Sequence, residues 1–341
     1  MLEIVSGIIA TSVFHIGMFP WIDFLGNYGL LAIMFLAGFE LRPEYLKGNA
    51  KSIFAVSSSS LFVPFLALFI TSYFILNYDI QTSLLVSVAL STTSLALVFP
   101  FLEEHGIMKT KLGSRLLGTA AVIDVLSMIL IALMFSTPQI AMLLLIPFVL
   151  IGWKGLPKVG HLIFSRYGKN IAEIELKFLL FLLLGTALLA ESVNVHASII
   201  VFFAGMVFSE TMQDYVELEK KLRGITFGFL APIFFFRAGM FIDLGKLTIV
   251  TIWLTLLFFS VSMSFKYLGT YFAARKFMSR AHSRLMASSF SYKLSFSLII
   301  SMFGFESGLI GNELYTAILL TVVLSAVMPS LLTGGSRTEI D

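Results

Sequence analysis

GTAAVIDVLSMIL, residues 118–130, sets one carboxylate, Asp124, in a run of apolar and small residues. The surrounding segment, Leu112–Met134, is long enough to cross a ~30 Å hydrocarbon core as a helix. An acid at that depth is expensive and usually functional. Two readings stand side by side. Asp124 is a packing acid held neutral or hydrogen-bonded by a neighbouring helix, or it is a carboxylate that alternately binds a proton and a cation. Burial and neighbouring charge set which of the two a carboxylate prefers.

Stretches of the same character recur from end to end. Hydrophobic residues make up 58% of the 341, and charged residues 13%, about half the ~25% of a soluble domain. Lipid leaves no unpaired backbone group, so these stretches are expected to be helices; none shows the alternation of barrel strands. The reading is an all-α membrane protein of about twelve transmembrane helices. The spans are Met1–Gly17, Leu25–Leu41, Ser52–Leu76, Ser83–Leu102, Leu112–Met134, Ile140–Trp153, Phe178–Ala190, Ala197–Phe208, Ile225–Phe241, Leu247–Ala274, Leu285–Phe303 and Tyr315–Leu332.

Loop charge supports this map. One set of alternate loops carries Arg42, Lys47 and Lys51; Lys109, Lys111 and Arg115; Lys154 to Lys177; Lys220, Lys221 and Arg223; and Arg275 to Arg284, with Arg337 in the tail. The opposite loops carry only Lys246. Lys and Arg concentrate on the cytoplasmic side, so both termini are expected there, in a plasma-membrane protein. The first span has no basic n-region or small-residue cleavage site and is not read as a cleavable signal. It is short, and a preceding helix is a possibility left open. No nucleotide-binding tail is expected after the last span. The longest loop, Lys154–Lys177, is basic and amphipathic, and is read as a surface helix or as a solvated linker. The absence of cysteine excludes disulfides and thiolate chemistry. The basic residues are dispersed and lack aromatic platforms, so no nucleic acid partner is expected.

Three bases also fall within spans: Arg237, Lys266 and Lys293. Lys266, in SVSMSFKYLGTYF, is either a lysine snorkelling to the headgroups or a charge partner of Asp124. Arg237, in PIFFFRAGM, is equally a structural anchor or part of a site. Glu40, Glu191 and Asp243 sit near span ends. Span four, SLLVSVALSTTSLALVFPFL, gathers Ser91, Thr92, Thr93 and Ser94 at its centre, with Pro100 beyond. Span eleven, LMASSFSYKLSFSLII, gathers Ser288, Ser289, Ser291, Lys293 and Ser295. Ser and Thr also join helices by hydrogen bonds. Two interrupted spans in corresponding halves are the mark of inverted-repeat transporters with helices broken at the midplane. Hydroxyls and freed carbonyls at Ser91, Thr92 and Thr93 can then coordinate a small cation beside Asp124.

The order of these features resembles the monovalent cation:proton antiporters of the NapA/Kef type, over nearly the whole chain. GLLAIMFLAGFELRPEYLK, residues 29–47, resembles that family's helix ending in Phe-Leu-x-Gly-Leu-Glu. Residues 91–129 resemble its crossover helix, short basic loop and Asp-bearing helix. VHASIIVFFAGMVFSE and LAPIFFFRAGMFIDL resemble its later Phe-x-x-Gly and Pro-x-Phe-Phe segments. Lys266 matches the position of a lysine found in several electrogenic members. The resemblance implies the NapA/NhaA-like antiporter fold, with inverted repeats and two crossing broken helices. It implies one transmembrane domain over 1–341, with a mobile core (about 52–135 and 247–332) and a scaffold and dimer interface (about 1–41 and 140–241). It also implies a homodimer, no cofactor, and Na+ or K+ and H+ as the transported partners. Two departures concern the ion site. Many members place Asp-Asp or Asn-Asp there, and this chain has Ile123 before Asp124. The usual Arg-Gly-Glu-like stretch of the second crossover reads Tyr292, Lys293, Leu294, Ser295. With one acid fewer, electroneutral exchange is the expectation.

The expected function is therefore secondary active exchange of a monovalent cation for protons by alternating access. Two other transport readings remain. One is a Kef-like K+ efflux system with separate regulatory subunits. The other is a Na+-coupled organic anion symporter of similar fold, in which the in-span bases bind a carboxylate. An enzyme is disfavoured. An intramembrane aspartyl protease needs two deep acids. A zinc protease needs clustered histidines, and His15, His105, His161, His196 and His282 are scattered. The topology has a direct test. Single cysteines replacing Lys111 and Lys246 should react with an impermeant thiol reagent from opposite faces; labelling from one face would break the map.

Overall fold

The computed structural model of the chain describes residues 2–39, 49–94, 110–135, 173–192, 197–212 and 214–333, with single positions at 98, 102, 106, 107, 155, 160, 162 and 164. The sixth expected span, most of the loop that follows it, Glu40, Pro100 and the tail with Arg337 lie outside these residues. Among the described residues every regular element is helical. The helices are α1 (Leu2–Ser12), α2 (Pro20–Phe39), α3 (Ala50–Ile70), α4 (Ile80–Ser91), α5 (Lys111–Phe135), α6 (Ile174–Ser192), α7 (Ala197–Met212), α8 (Val216–Ile225), α9 (Ala231–Met240), α10 (Ile249–Ala274), α11 (Arg280–Ser289), α12 (Ser295–Glu306) and α13 (Asn312–Thr333). A π-helical stretch, Thr71–Ile75, prolongs α3, and another, Thr226–Leu230, joins α8 to α9.

Among the described residues, five continuous helices are long and apolar enough to cross a bilayer: α2, α3 with its π stretch, α5, α8 through α9, and α10. α1, α4, α7, α12 and α13 give shorter apolar stretches. The ninth expected span begins earlier than the sequence suggests, because the basic residues around Lys221 continue the helix to Val216. Spans four and eleven are each interrupted, and the polar clusters show why. Ser91 Oγ donates to Val88 O at 3.1 Å and Thr92 Oγ1 to Ala89 O at 3.4 Å. These hydroxyls occupy the last carbonyls of α4, and Thr92 turns to an extended backbone (φ −67°, ψ 169°). Such local bonds compete with helix continuation. Helix resumes beyond the break, where the Val98 amide donates to Ser94 O at 3.1 Å. α11 ends by the same device, with Ser289 Oγ on Met286 O (3.1 Å) and Ser291 Oγ on Ala287 O (2.9 Å). The chain then runs without helix through Tyr292–Leu294 before α12.

Two compact units partition the chain. One comprises Met1–Arg42 and Ile131–Met240, and the other Pro43–Leu130 and Phe241–Asp341. In the first unit the helices approach through glycines. A Cβ on Gly38 of α2 would collide with the Phe202 carbonyl of α7, and one on Gly205 of α7 with the Phe35 carbonyl of α2. Gly7 and Gly239 stand in the same reciprocal relation across α1 and α9, against the Phe236 and Ile4 carbonyls. In lipid, helices associate by such close packing and by interhelical hydrogen bonds, not by water exclusion.

The second unit relies on hydroxyls. Ser57 Oγ donates to Thr119 O (3.0 Å), joining α3 to α5. Ser59 Oγ donates to Gly269 O, and the Thr270 and Ser60 hydroxyls pair, both at 2.8 Å, joining α3 to α10. Thr321 Oγ1 donates to Thr255 O at 3.2 Å, joining α13 to α10. Each such bond contributes about 0.6 kcal/mol, up to ~1.7. Exposed apolar side chains line α3 (Phe54, Phe62, Leu66, Ile70) and α10 (Ile249, Ile252, Trp253, Leu256), as expected of faces that meet lipid. The glycine contacts predict that Gly205→Val lowers the unfolding midpoint in detergent, by overpacking of about 1–3 kcal/mol. Gly228→Ala, where nothing lies within 4 Å of the added carbon, should leave it nearly unchanged. Equal midpoints for the two would remove the glycine crossing as a constraint.

Candidate ion-binding site

The two breaks meet inside the second unit. The Ser94 amide donates to Tyr292 O at 2.9 Å, and Thr93 Oγ1 to Phe290 O at 3.3 Å. Thr92 Oγ1 and Ser297 Oγ are 2.9 Å apart. Each interruption therefore supplies partners for backbone or hydroxyl groups that the other has released. Ser91, Thr92, Thr93 and Ser94 are all buried, as are Ser291, Lys293 and Ser297.

Lys266 reaches this junction from α10. It is fully buried, and its Nζ donates to the Ser91 carbonyl at 2.6 Å. That carbonyl belongs to the last residue of α4, where freed carbonyls give the helix end a partial negative charge. An ammonium there both satisfies the acceptor and complements the dipole. Of the two alternatives read from the sequence, burial removes snorkelling. The Lys266 carbonyl accepts in turn from Thr270 Oγ1 at 2.8 Å. Asp124 and Lys293 both lie within electrostatic reach of the Lys266 ammonium.

Asp124 projects from α5 and is 2% exposed. Its neighbour Ile123 is fully buried in an apolar cluster that includes Leu116, Leu117, Ala120, Phe290 and Tyr292. The position before Asp124 is thus a packing position. One turn on, Ser127 Oγ bonds back to Ile123 O at 2.8 Å. Lys293 lies within the second break and is fully buried. Its Nζ donates to the Met263 thioether at 3.7 Å, and its carbonyl accepts from Ser325 Oγ at 3.5 Å.

Arg237 belongs to the first unit. Its side chain is 3% exposed, and its Nε and Nη2 both bond Asp23 Oδ1, at 2.7 and 2.5 Å. Its aliphatic stem packs on Gly26. The ion pair joins α2 to α9 and accounts for its buried charge. Asp243 accepts from the Gly245 amide at 3.0 Å in a turn after α9.

Three partners escaped the sequence reading: Ser297, Met263 and Asp23. Ser297 had a signal, since it continues the serine spacing of Ser291 and Ser295. Met263 and Asp23 had none, because each is defined only by what packs against it. The junction offers several hydroxyls and backbone carbonyls and two lysines, with the Asp124 carboxyl group in electrostatic reach of Lys266. Such oxygen ligands at broken helices suit a small hard cation that must shed its water.

A helical membrane unit built on two crossing broken helices, with a buried acid beside them, is a secondary transporter fold. The family described as "Sodium/hydrogen exchanger, transmembrane" matches residues 1–334, and the chain belongs to that family of monovalent cation:proton exchangers. The Na(+)/H(+)-K(+) antiporter GerN of Bacillus cereus is 27% identical over 319 residues, covering 89% of this chain and 80% of the relative. The probable Na(+)/H(+) antiporter 3 of Methanocaldococcus jannaschii is 27% identical over 317 residues, covering 89% and 81%. The solved structure of the sodium proton antiporter MjNhaP1 from the same archaeon superposes with a TM-score of 0.76 at 15% identity. It covers 98% of this chain and 90% of that one, so it shares the fold.

The contact between breaks is open to a double-mutant cycle. Thr92→Val and Ser297→Ala should each lower stability by about 1 kcal/mol, and the double variant by clearly less than their sum. Strict additivity in detergent unfolding would show that the two hydroxyls do not interact.

Proposed function

We propose that Asp124 is the group through which a monovalent cation and a proton compete, and that Lys266 tunes that competition. The observation carrying this reading is the burial of Asp124 in the unit where Lys266 bonds the Ser91 carbonyl at the broken end of α4. A bound cation replaces the proton on the carboxylate. Either occupant neutralises it, and a neutralised site crosses a low-dielectric barrier far more readily than a bare charge. Oxygens of Ser91, Thr92 and Thr93 complete the cation's coordination. Because Lys266 already engages one lone pair of the Ser91 carbonyl, a cation uses the other or the neighbouring hydroxyls. Lys266 thus sets the electrostatic threshold for cation entry.

The substrate is Na+ or K+. Relatives named for both ions support keeping the pair. In this reading the second unit, which carries both breaks, Asp124 and both lysines, is the moving core, and the first is the scaffold and dimer interface. The loop charges support cytoplasmic termini in a plasma membrane. A Kef-like system with separate subunits and an organic anion symporter are outcomes of the same assay.

Purified protein in liposomes with an imposed pH gradient should exchange protons for Na+ or K+ when each monovalent cation is supplied in turn. Asp124→Asn should abolish exchange. Lys266→Ala should retain it with a displaced pH profile or a changed apparent cation affinity. Full exchange by Asp124→Asn would refute the mechanism. Dependence on an added organic anion would favour the symporter.

A further inference from the structure

Among the described residues of the second unit, the buried acids and bases are Asp124, Lys266 and Lys293. Two bases stand against one acid. If all three were permanently ionised, the unit would hold an uncompensated charge in a low-dielectric interior, which is strongly unfavourable. The two lysines differ in how an ammonium is accommodated. Lys266 has a 2.6 Å bond to the carbonyl that ends α4. Lys293 is equally buried, and its hydrogen-bond acceptor is the Met263 sulfur at 3.7 Å. An ammonium offers three donors, and a thioether is a weak acceptor.

The groups brought to Lys293 by the elements around it offer little more. α10 brings Met263, with Lys266 in electrostatic reach. α13 brings Ser325, whose hydroxyl is directed at the Lys293 carbonyl. The first break brings Thr92, Thr93 and Ser94, bonded to Ser297 and to the Phe290 and Tyr292 carbonyls. Tyr292, buried beside Lys293 in the chain, is the remaining titratable neighbour. The other acids of α12 and α13, Glu306 and Glu313, are at the far end of one helix and the first turn of the other, and both are exposed. A lysine so placed is tolerable as an amine and takes up a proton only when the charge around it allows.

We propose that Lys293 is a second proton-binding group of the exchange cycle. It rests on the reading of Asp124 given above. Protons occupy both groups in one phase. When a cation binds, Asp124 loses its proton to water and holds the cation, and Lys293 passes from ammonium to amine and releases another. The balance is Asp124–COOH, Lys293–NH3+ and one cation giving the cation-bound carboxylate, Lys293–NH2 and two protons. The total charge on the two sides is equal. The geometric reason for coupling is the junction itself. A cation coordinated by oxygens of the first break lies against the second break, to which Thr92, Thr93 and Ser94 are bonded. On this proposal the cation's charge falls nearer Lys293 than does the proton it replaces. Two protons then exchange for one cation, and transport moves net charge. Counting carboxylates alone, which led to the electroneutral expectation, omits this group.

Charge movement after a cation jump, recorded on a solid-supported membrane, tests the proposal when run beside proton release in liposomes containing a pH-sensitive dye. The native protein should give both signals. Lys293→Met should keep proton release through Asp124 and lose most of the current. Lys293→Arg keeps a positive charge and a long side chain but cannot give up its proton. It should also lose the current. No current from the native protein, an unchanged current in Lys293→Met, or native current and pH profile in Lys293→Arg would each overturn the assignment. Arg working as well as Lys would mean a fixed charge is all the position needs. Because Lys293→Met is neutral and should fold even if Lys293→Arg, with its fixed charge, does not, the outcome stays readable. Persistent exchange in Asp124→Asn would instead overturn the reading on which this one rests.

Discussion

Everything distinctive in the second unit follows from one requirement: a helix broken inside a hydrocarbon slab must find partners for the backbone groups it frees. Two breaks placed against each other meet that requirement mutually. The Ser94 amide is taken by Tyr292 O, Thr93 Oγ1 by Phe290 O, and Thr92 Oγ1 pairs with Ser297 Oγ. The carbonyl that ends α4 is taken by Lys266. A charged side chain that would otherwise be a liability thus closes the backbone account of the first break. The same closure places Lys266 within electrostatic reach of Asp124.

The two units use different means of holding helices together. Reciprocal glycine contacts in the first unit bring backbones into van der Waals contact along α1–α9 and α2–α7. Such contacts are close-fitting and tolerate little displacement. The second unit joins α3, α5, α10 and α13 through hydroxyl-to-backbone bonds. These bonds are individually modest in lipid, and a side-chain hydroxyl can exchange one acceptor for another.

Ile123 shows how packing and chemistry share neighbouring positions. Asp124 and Ile123 point in different directions from one helical turn. Asp124 lies within electrostatic reach of Lys266, and Ile123 fills an apolar cluster with Phe290 and Tyr292, the residues whose carbonyls receive Thr93 and Ser94. The apolar side chain steadies the second break from beneath. Ile123 thus gives the junction a packing contact at the position next to its acid.

Much of this was legible in the sequence. Apolar runs of membrane-spanning length, the alternation of loop charge and an isolated acid in a helix follow from solvent and helix geometry alone, without reference to any partner. The breaks were legible too, because Ser and Thr at Ser91–Ser94 and Ser288–Ser295 carry the local chemistry that ends a helix. What the sequence left open was pairing. Nothing local to Lys266 told whether it would snorkel, face Asp124 or cap a helix end, and the fold chose the cap by bringing α10 against the end of α4. Arg237 had its anchor in Asp23, a residue far away in the chain. Lys293 drew a thioether where a carboxylate was equally conceivable. Helix formation and membrane insertion depend on hydrogen bonds and transfer energies within one segment, which composition already encodes. Which charges meet depends on how segments distant in sequence cross, and only the tertiary structure decides that.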